Sequence, residues 1–216
     1  MKNVTRSRLP LEGVKVVDFG QYIAGPAVAM LLADLGATVV HIDPPGGDMW
    51  DSPATAILNR NKLIVSIDLK SQEGLERAHA LCAEADILVE NFRPDKLKNL
   101  GIDFVQMRIE RPELITLSLP GFASNDPVRR NWRAFESVVA ATSGVFTDMG
   151  LNRVLMGVNP SFSPLPLASA YSAQIGASSV VLALQSRQLT GVGDQIEVPL
   201  AAAVMEGLCY NSIKVV

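Results

Sequence analysis

The sequence predicts an α/β fold: a doubly wound, mostly parallel sheet followed by packed, small-residue helices. Three observations predict it. Short β-branched runs alternate with segments of helical composition through the first half of the chain. Turn residues bound each run. From Asn131 onward, Ala-, Ser- and Gly-rich helical segments replace the alternation.

Taken in order, Val14 to Phe19 is a β-branched strand, and Ala27 to Leu35 is a helix closed by Gly36 at its C-terminal cap. Thr38 to Ile42 is the next strand, ended by the turn Asp43-Pro44-Pro45-Gly46-Gly47-Asp48. Leu63 to Leu69 is strand-like, Ser71 caps a helix over Gln72 to Glu84, and Asp86 to Glu90 and Leu114 to Leu119 are further strands. Ala134 to Val145 and Ala168 to Leu184 are helix-compatible and joined by a polar, Pro-rich stretch from Asn152 to Pro166. Thr190 to Asp194 is a turn, Gln195 to Val198 a short strand, and Leu200 into Cys209 an apolar helix. The chain divides into a sheet-forming region, 1–130, and a helical segment, 131–216. It stops at Val216 without a polar cap, which suggests an incomplete domain. In a doubly wound sheet, ligands bind beyond the carboxyl ends of the strands. The loops to watch are therefore Gly20 to Pro26, Asp43 to Trp50, Asn91 to Pro94 and Pro120 to Pro127.

At 216 residues, 48% of them hydrophobic and 19% charged, the chain is long enough for one sizeable soluble core. A net charge of -3 with no basic block argues against a nucleic-acid or anionic-membrane surface. The two cysteines, Cys82 and Cys209, lie far apart in apolar stretches, as suits buried free thiols in a reducing cytosol. Metal binding is not expected with His41 and His79 as the only histidines. The N-terminus lacks the apolar stretch of a signal peptide, and apolar runs are broken before ~18 residues, so we expect a cytoplasmic protein without a membrane span. No Gly-x-Gly-x-x-Gly follows the first strand, and there is no Walker loop, Gly-x-Ser-x-Gly elbow or Cys-x-x-Cys, which disfavours classical dinucleotide and ATP sites.

Five blocks carry a family resemblance. They are Leu11 to Phe19 running into Ala24-Gly25-Pro26; Leu35-Gly36-Ala37 through Asp43 to Asp48; Asn59-Arg60-Asn61-Lys62 through Asp68-Leu69-Lys70; Glu90-Asn91-Phe92-Arg93-Pro94; and Thr190 to Gln195. In this order they resemble the N-terminal part of the family III CoA-transferases, the CaiB/BaiF family, which includes formyl-CoA transferase and α-methylacyl-CoA racemase. The resemblance implies a Rossmann-like sheet, coenzyme A or an acyl-CoA as substrate, a carboxylic acid as the other substrate, and an interlocked homodimer or pairing with a second domain of the same kind.

Coenzyme A is a polyanion on a long, mostly uncharged arm, so its site needs a few cations and an apolar channel. Arg60, Lys62 and Arg93 follow predicted strands and are candidate cations, or else solvated surface charges. By resemblance, Lys62 lies near the phosphates, and Asn91 and Phe92 belong to the loop that contacts CoA; Asn91 alternatively caps the next helix and Phe92 joins the core. By resemblance again, Arg133 contacts the ligand and Glu136 faces the reacting thioester. Phe135 stands where the racemases hold a catalytic histidine, so racemisation is not expected.

The run Pro166-Leu167-Ala168-Ser169 puts a serine where the family places an aspartate nucleophile. In resembling enzymes that aspartate forms a mixed anhydride and then carries CoA as a thioester. A carboxylate is ionised at pH 7, whereas a serine needs a base, and its ester relays poorly. No Asp or Glu occurs from Arg153 to Val192, so a small shift of register does not restore the nucleophile. We therefore expect this chain to work with an Asp-bearing second domain or partner. The alternatives are an acyl-CoA lyase or isomerase using Glu136 as acid or base, and a CoA-binding half-domain without chemistry.

Overall fold

The computed structural model describes residues 8–148 and 162–212. Six strands, β1 (Lys15–Asp18), β2 (Thr38–Asp43), β3 (Lys62–Ser66), β4 (Ile87–Glu90), β5 (Ile115–Ser118) and β6 (Gln195–Glu197), form one sheet in the order β3-β2-β1-β4-β5-β6. Every pairing is parallel. The strand order reverses between β1 and β4, which opens a crevice at their carboxyl ends.

Alternation along the strands builds two cores, one on each face. Val16, Ile87, Val89, Ile115 and Leu117 point to one face, and Val17, Leu88 and Leu114 to the other. The first face is covered by α1 (Ala24–Asp34), α6 (Glu136–Thr142), α8 (Leu167–Thr190) and α9 (Leu200–Ser212). The second is covered by α3 (Gln72–Glu84), with Leu97 of α4 (Lys96–Asn99) and Phe104 and Met107 of α5 (Phe104–Glu110). Each fully buried Leu or Ile in these layers contributes about 1.5–3 kcal/mol. Residues on both sides of position 130 share the first core, since β6 and α8 pack on β5, α8 on α1 and α9 on α8.

Local signals explain most boundaries. Ser71 caps α3, its Oγ accepting the Gly74 N–H at 3.0 Å, and Gly36 lies just past α1 with φ +103°. The helix expected over Ala134 to Val145 is broken at Gly144 into α6 and α7 (Val145–Asp148). The short helices α2 (Ala54–Leu58), α4 and α5 were not expected, because each is too brief to show a period. By length and composition α8 could cross a membrane, contrary to the sequence expectation. Half of its apolar window is buried, and Ala168, Ser172, Ala173, Gly176, Ala177 and Val180 face the protein, as in a core helix. Cys82 is a buried free thiol, whereas the side chain of Cys209 and much of the Asn152 to Pro166 stretch lie outside the described residues.

Candidate functional site

The crevice between β1 and β4 opens into a cavity of about 560 Å³. Its walls come from the loops after β1, β4 and β5, from Met49 and Trp50, and from the starts of α6 and α8. Gly121, just after β5, is what lets the α6 segment approach: a Cβ there would lie 1.8 Å from that of Ala134. Five aromatic rings, Tyr22, Trp50, Phe92, Phe135 and Phe162, supply apolar lining. Arg93, Lys96 and Arg133 supply three cations. An apolar channel with convergent cations suits an anion carried on an uncharged arm.

Of the residues singled out in the sequence, Asn91, Phe92, Arg93, Arg133, Glu136 and Ser169 meet in this cavity. Arg93 donates to the Asn131 carbonyl at 2.9 Å while remaining exposed. Among the described residues, the exposed Arg133 side chain has no hydrogen-bond or ion-pair partner. Phe92 lines the cavity and also packs on the second core. Asn91 caps no helix, since Asp95 precedes α4. Its amide instead pairs with Gln21 across the crevice, accepting the Gln21 N–H at 2.7 Å and donating to the Gln21 carbonyl at 2.7 Å. That side chain ties the β1 loop to the β4 loop as a strand pairing would.

Arg60 and Lys62 are not among the cavity-lining residues. Arg60 pairs with Asp34 at the end of α1. The Lys62 side chain is wholly buried, with its ammonium 3.1 Å from Asp18 and 2.8 Å from the Pro26 carbonyl. Lys62 belongs to a buried polar cluster at the ends of β1 and β2, in which His41 meets Asp18 at 2.7 Å and Asp43 at 3.1 Å. Burial by itself would raise Asp18, but Lys62, His41 and the Gly20 N–H together hold its carboxyl below the ordinary range. Burial likewise works against a charged His41, and the Asp18 carboxylate outweighs it, holding the imidazole above its usual value. Sequence spacing did not disclose this cluster, because its members come from three strands.

Glu136 opens α6 and reaches the N-terminus of α8. One carboxylate oxygen accepts the Ala168 N–H at 2.7 Å; the other accepts the Ser169 N–H at 3.0 Å and the Ser169 hydroxyl at 2.6 Å. The first turn of a helix leaves N–H groups without partners and carries partial positive charge, so a carboxylate is well placed there. Ser169 is buried and spends its hydroxyl proton on Glu136. The carboxylate at this end of the cavity thus comes from α6 and not from α8.

A second polar recess of about 180 Å³ adjoins this site at the ends of β4 to β6 and contains Glu90 and Glu197. Burial pushes Glu90 up to about 7, against hydrogen bonds from Ser118 and the Phe92 N–H and with the help of the Glu197 charge. No group of acidic, His or Cys side chains among the described residues could hold a metal ion.

The family described as CoA-transferase family III matches residues 11–214. The CoA-transferase/lyase DddD of Marinomonas sp. (strain MWYL1) is 67% identical over 207 residues, covering 96% of this chain and 25% of that protein. The succinyl-CoA–L-malate CoA-transferase alpha subunit of Chloroflexus aurantiacus is 32% identical, covering 92% of this chain and 48% of the relative. Among solved structures, Rv3272 of Mycobacterium tuberculosis superposes with a TM-score of 0.83 at 32% identity, covering 94% of this chain and 56% of that one. A CaiB/BaiF family protein of Brucella suis gives 0.83 at 26%, covering 96% and 60%. The chain therefore spans between a quarter and about half the length of these curated relatives.

Proposed function

The chain belongs to CoA-transferase family III, and from that premise we propose that its crevice cavity binds coenzyme A or an acyl-CoA as part of a cytoplasmic enzyme that moves CoA between an acyl-CoA and a carboxylic acid. The observation that carries this reading is the cavity itself, in which Arg93, Lys96 and Arg133 converge on an aromatic-lined channel at the point where the strand order reverses. The cations meet the phosphates, and the channel receives the pantetheine arm and acyl group.

The covalent relay itself is assigned to an Asp-bearing second domain or partner. Ser169 is a hydroxyl hydrogen-bonded to a carboxylate, with no histidine lining the cavity to deprotonate it. The relatives' greater length leaves room for such a domain, and the DddD name, CoA-transferase/lyase, fits a protein with more than one chemical step.

Calorimetric titration with CoA and acetyl-CoA tests the reading. Arg133→Ala should weaken binding by about tenfold, the loss of one charge-assisted contact, while Arg60→Ala, remote from the cavity, should leave it unchanged. Absence of binding by the folded wild-type chain overturns the reading.

A further inference from the structure

The turn from Gly20 to Pro26 holds an aromatic residue in a backbone region that L side chains seldom adopt: Tyr22 has φ +63°. Its neighbours leave it no freedom to relax. Asn91 pins both the N–H and the carbonyl of Gln21, the Gln21 amide donates to the Ile42 carbonyl at 3.2 Å, and Lys62 holds the Pro26 carbonyl. Gly20 and Gly25 touch, so that a Cβ on either would lie 2.6 Å from the other's Cα. Such strain persists where the surroundings over-determine it, and it clusters at ligand-contacting positions.

What this fixed geometry produces is a pair of rings at the cavity wall. Tyr22 and Phe135 meet edge to face, with centroids 5.7 Å apart and planes at 88°. Both remain open to the cavity, at 38% and 53% exposure. Phe135, in ordinary extended backbone, immediately precedes Glu136, whose carboxylate is held by three hydrogen bonds at α8. The pair lines the same cavity as Glu136 and Ser169.

We propose that Tyr22, with Phe135, is the specificity-determining element for the acyl group of the bound thioester, admitting small acyl groups and excluding bulky or aromatic ones. The inference rests on the CoA reading above. The ring of Tyr22 is aimed by a backbone held in place and sets its edge against Phe135, narrowing the cavity, and an apolar wall of this kind discriminates by size. Lys62 and Asn91 are positioning residues in this scheme: they hold the turn that aims Tyr22.

The test titrates wild type, Tyr22→Gly and Phe135→Ala with CoA, acetyl-CoA and benzoyl-CoA. Glycine accepts the positive φ, so Tyr22→Gly removes the ring and the strain together and should still fold. The ratio of benzoyl-CoA to acetyl-CoA affinity should rise roughly tenfold or more in Tyr22→Gly, and also in Phe135→Ala. Asn91→Ala should raise the same ratio, and should have no further effect in the Tyr22→Gly background, an outcome that general loosening of the fold would not give. A ratio that stays constant in both ring variants while CoA still binds overturns the inference alone. Failure of the wild type to bind free CoA overturns the CoA reading, and the inference with it.

Discussion

The carboxylate of Glu136 accepts hydrogen bonds from the Ser169 hydroxyl at 2.6 Å and the Ser169 N–H at 3.0 Å, joining the start of one helix to the start of another. This contact places negative charge on the α8 N-terminus and leaves the serine oxygen engaged as a donor.

Glu136→Ala leaves Ala168 and Ser169 without their acceptor at a half-buried helix start and should destabilise the chain by about 1–3 kcal/mol in urea unfolding. Glu136→Gln, which keeps one acceptor oxygen, should cost less. Equal costs would mean that the carboxylate does not cap α8.

Ser169 should form no acyl intermediate. Incubation of this chain with an acyl-CoA, followed by hydroxylamine treatment and peptide mapping, should detect nothing at residue 169. The group that accepts the hydrogen bond from its hydroxyl, the Glu136 carboxylate, is a far weaker base than the imidazole that activates catalytic serines and is itself engaged by two backbone N–H groups. An adduct there would assign nucleophilic chemistry to the serine.

Lys62→Met should cost about 3–5 kcal/mol, since it strands the Asp18 carboxylate in the protein interior. Arg60→Ala, at the surface, should be close to silent. Chemical denaturation of the two variants in parallel separates them, and similar midpoints would contradict the buried position of Lys62.

Glu90 links stability to pH. Its carboxyl is raised from an ordinary 4.5 to about 7 by burial, so the folded state binds the proton more tightly than the unfolded chain does. The contribution is therefore fully present below about pH 4.5 and is lost as pH rises through about 7. Between about pH 5 and about pH 8 stability should fall on the order of 2 kcal/mol, and Glu90→Gln should flatten that slope. A wild-type slope unchanged in Glu90→Gln would remove Glu90 as its source.

Much of the fold was legible because strands buried on both faces announce themselves as short apolar runs, as at Ile87-Leu88-Val89 and Ile115 to Leu117. Half of the candidate site was legible through its loops, since β1 and β4 end at residues whose successors must border the crevice. Lys62 was misleading because a cation after a predicted loop looks like a surface charge, and only the parallel pairing of β3 with β2, followed by β1, turns it toward Asp18. Asn91 was similarly ambiguous: its side chain suits a helix cap, and its partner Gln21 lies 70 residues away.

The sequence by itself determined the order of the strands and the longer helices, the absence of a carboxylate at residue 169 and the family-like blocks, all of which depend on residue type and short-range spacing. The tertiary structure alone decided which charges are spent and which are available. Lys62 is neutralised by Asp18, Glu136 is captured by the α8 N-terminus, and Arg93, Lys96 and Arg133 are left facing the cavity. Charge pairing is a property of distance through space, and segments far apart in the chain acquire that distance only when the sheet brings their strand ends together.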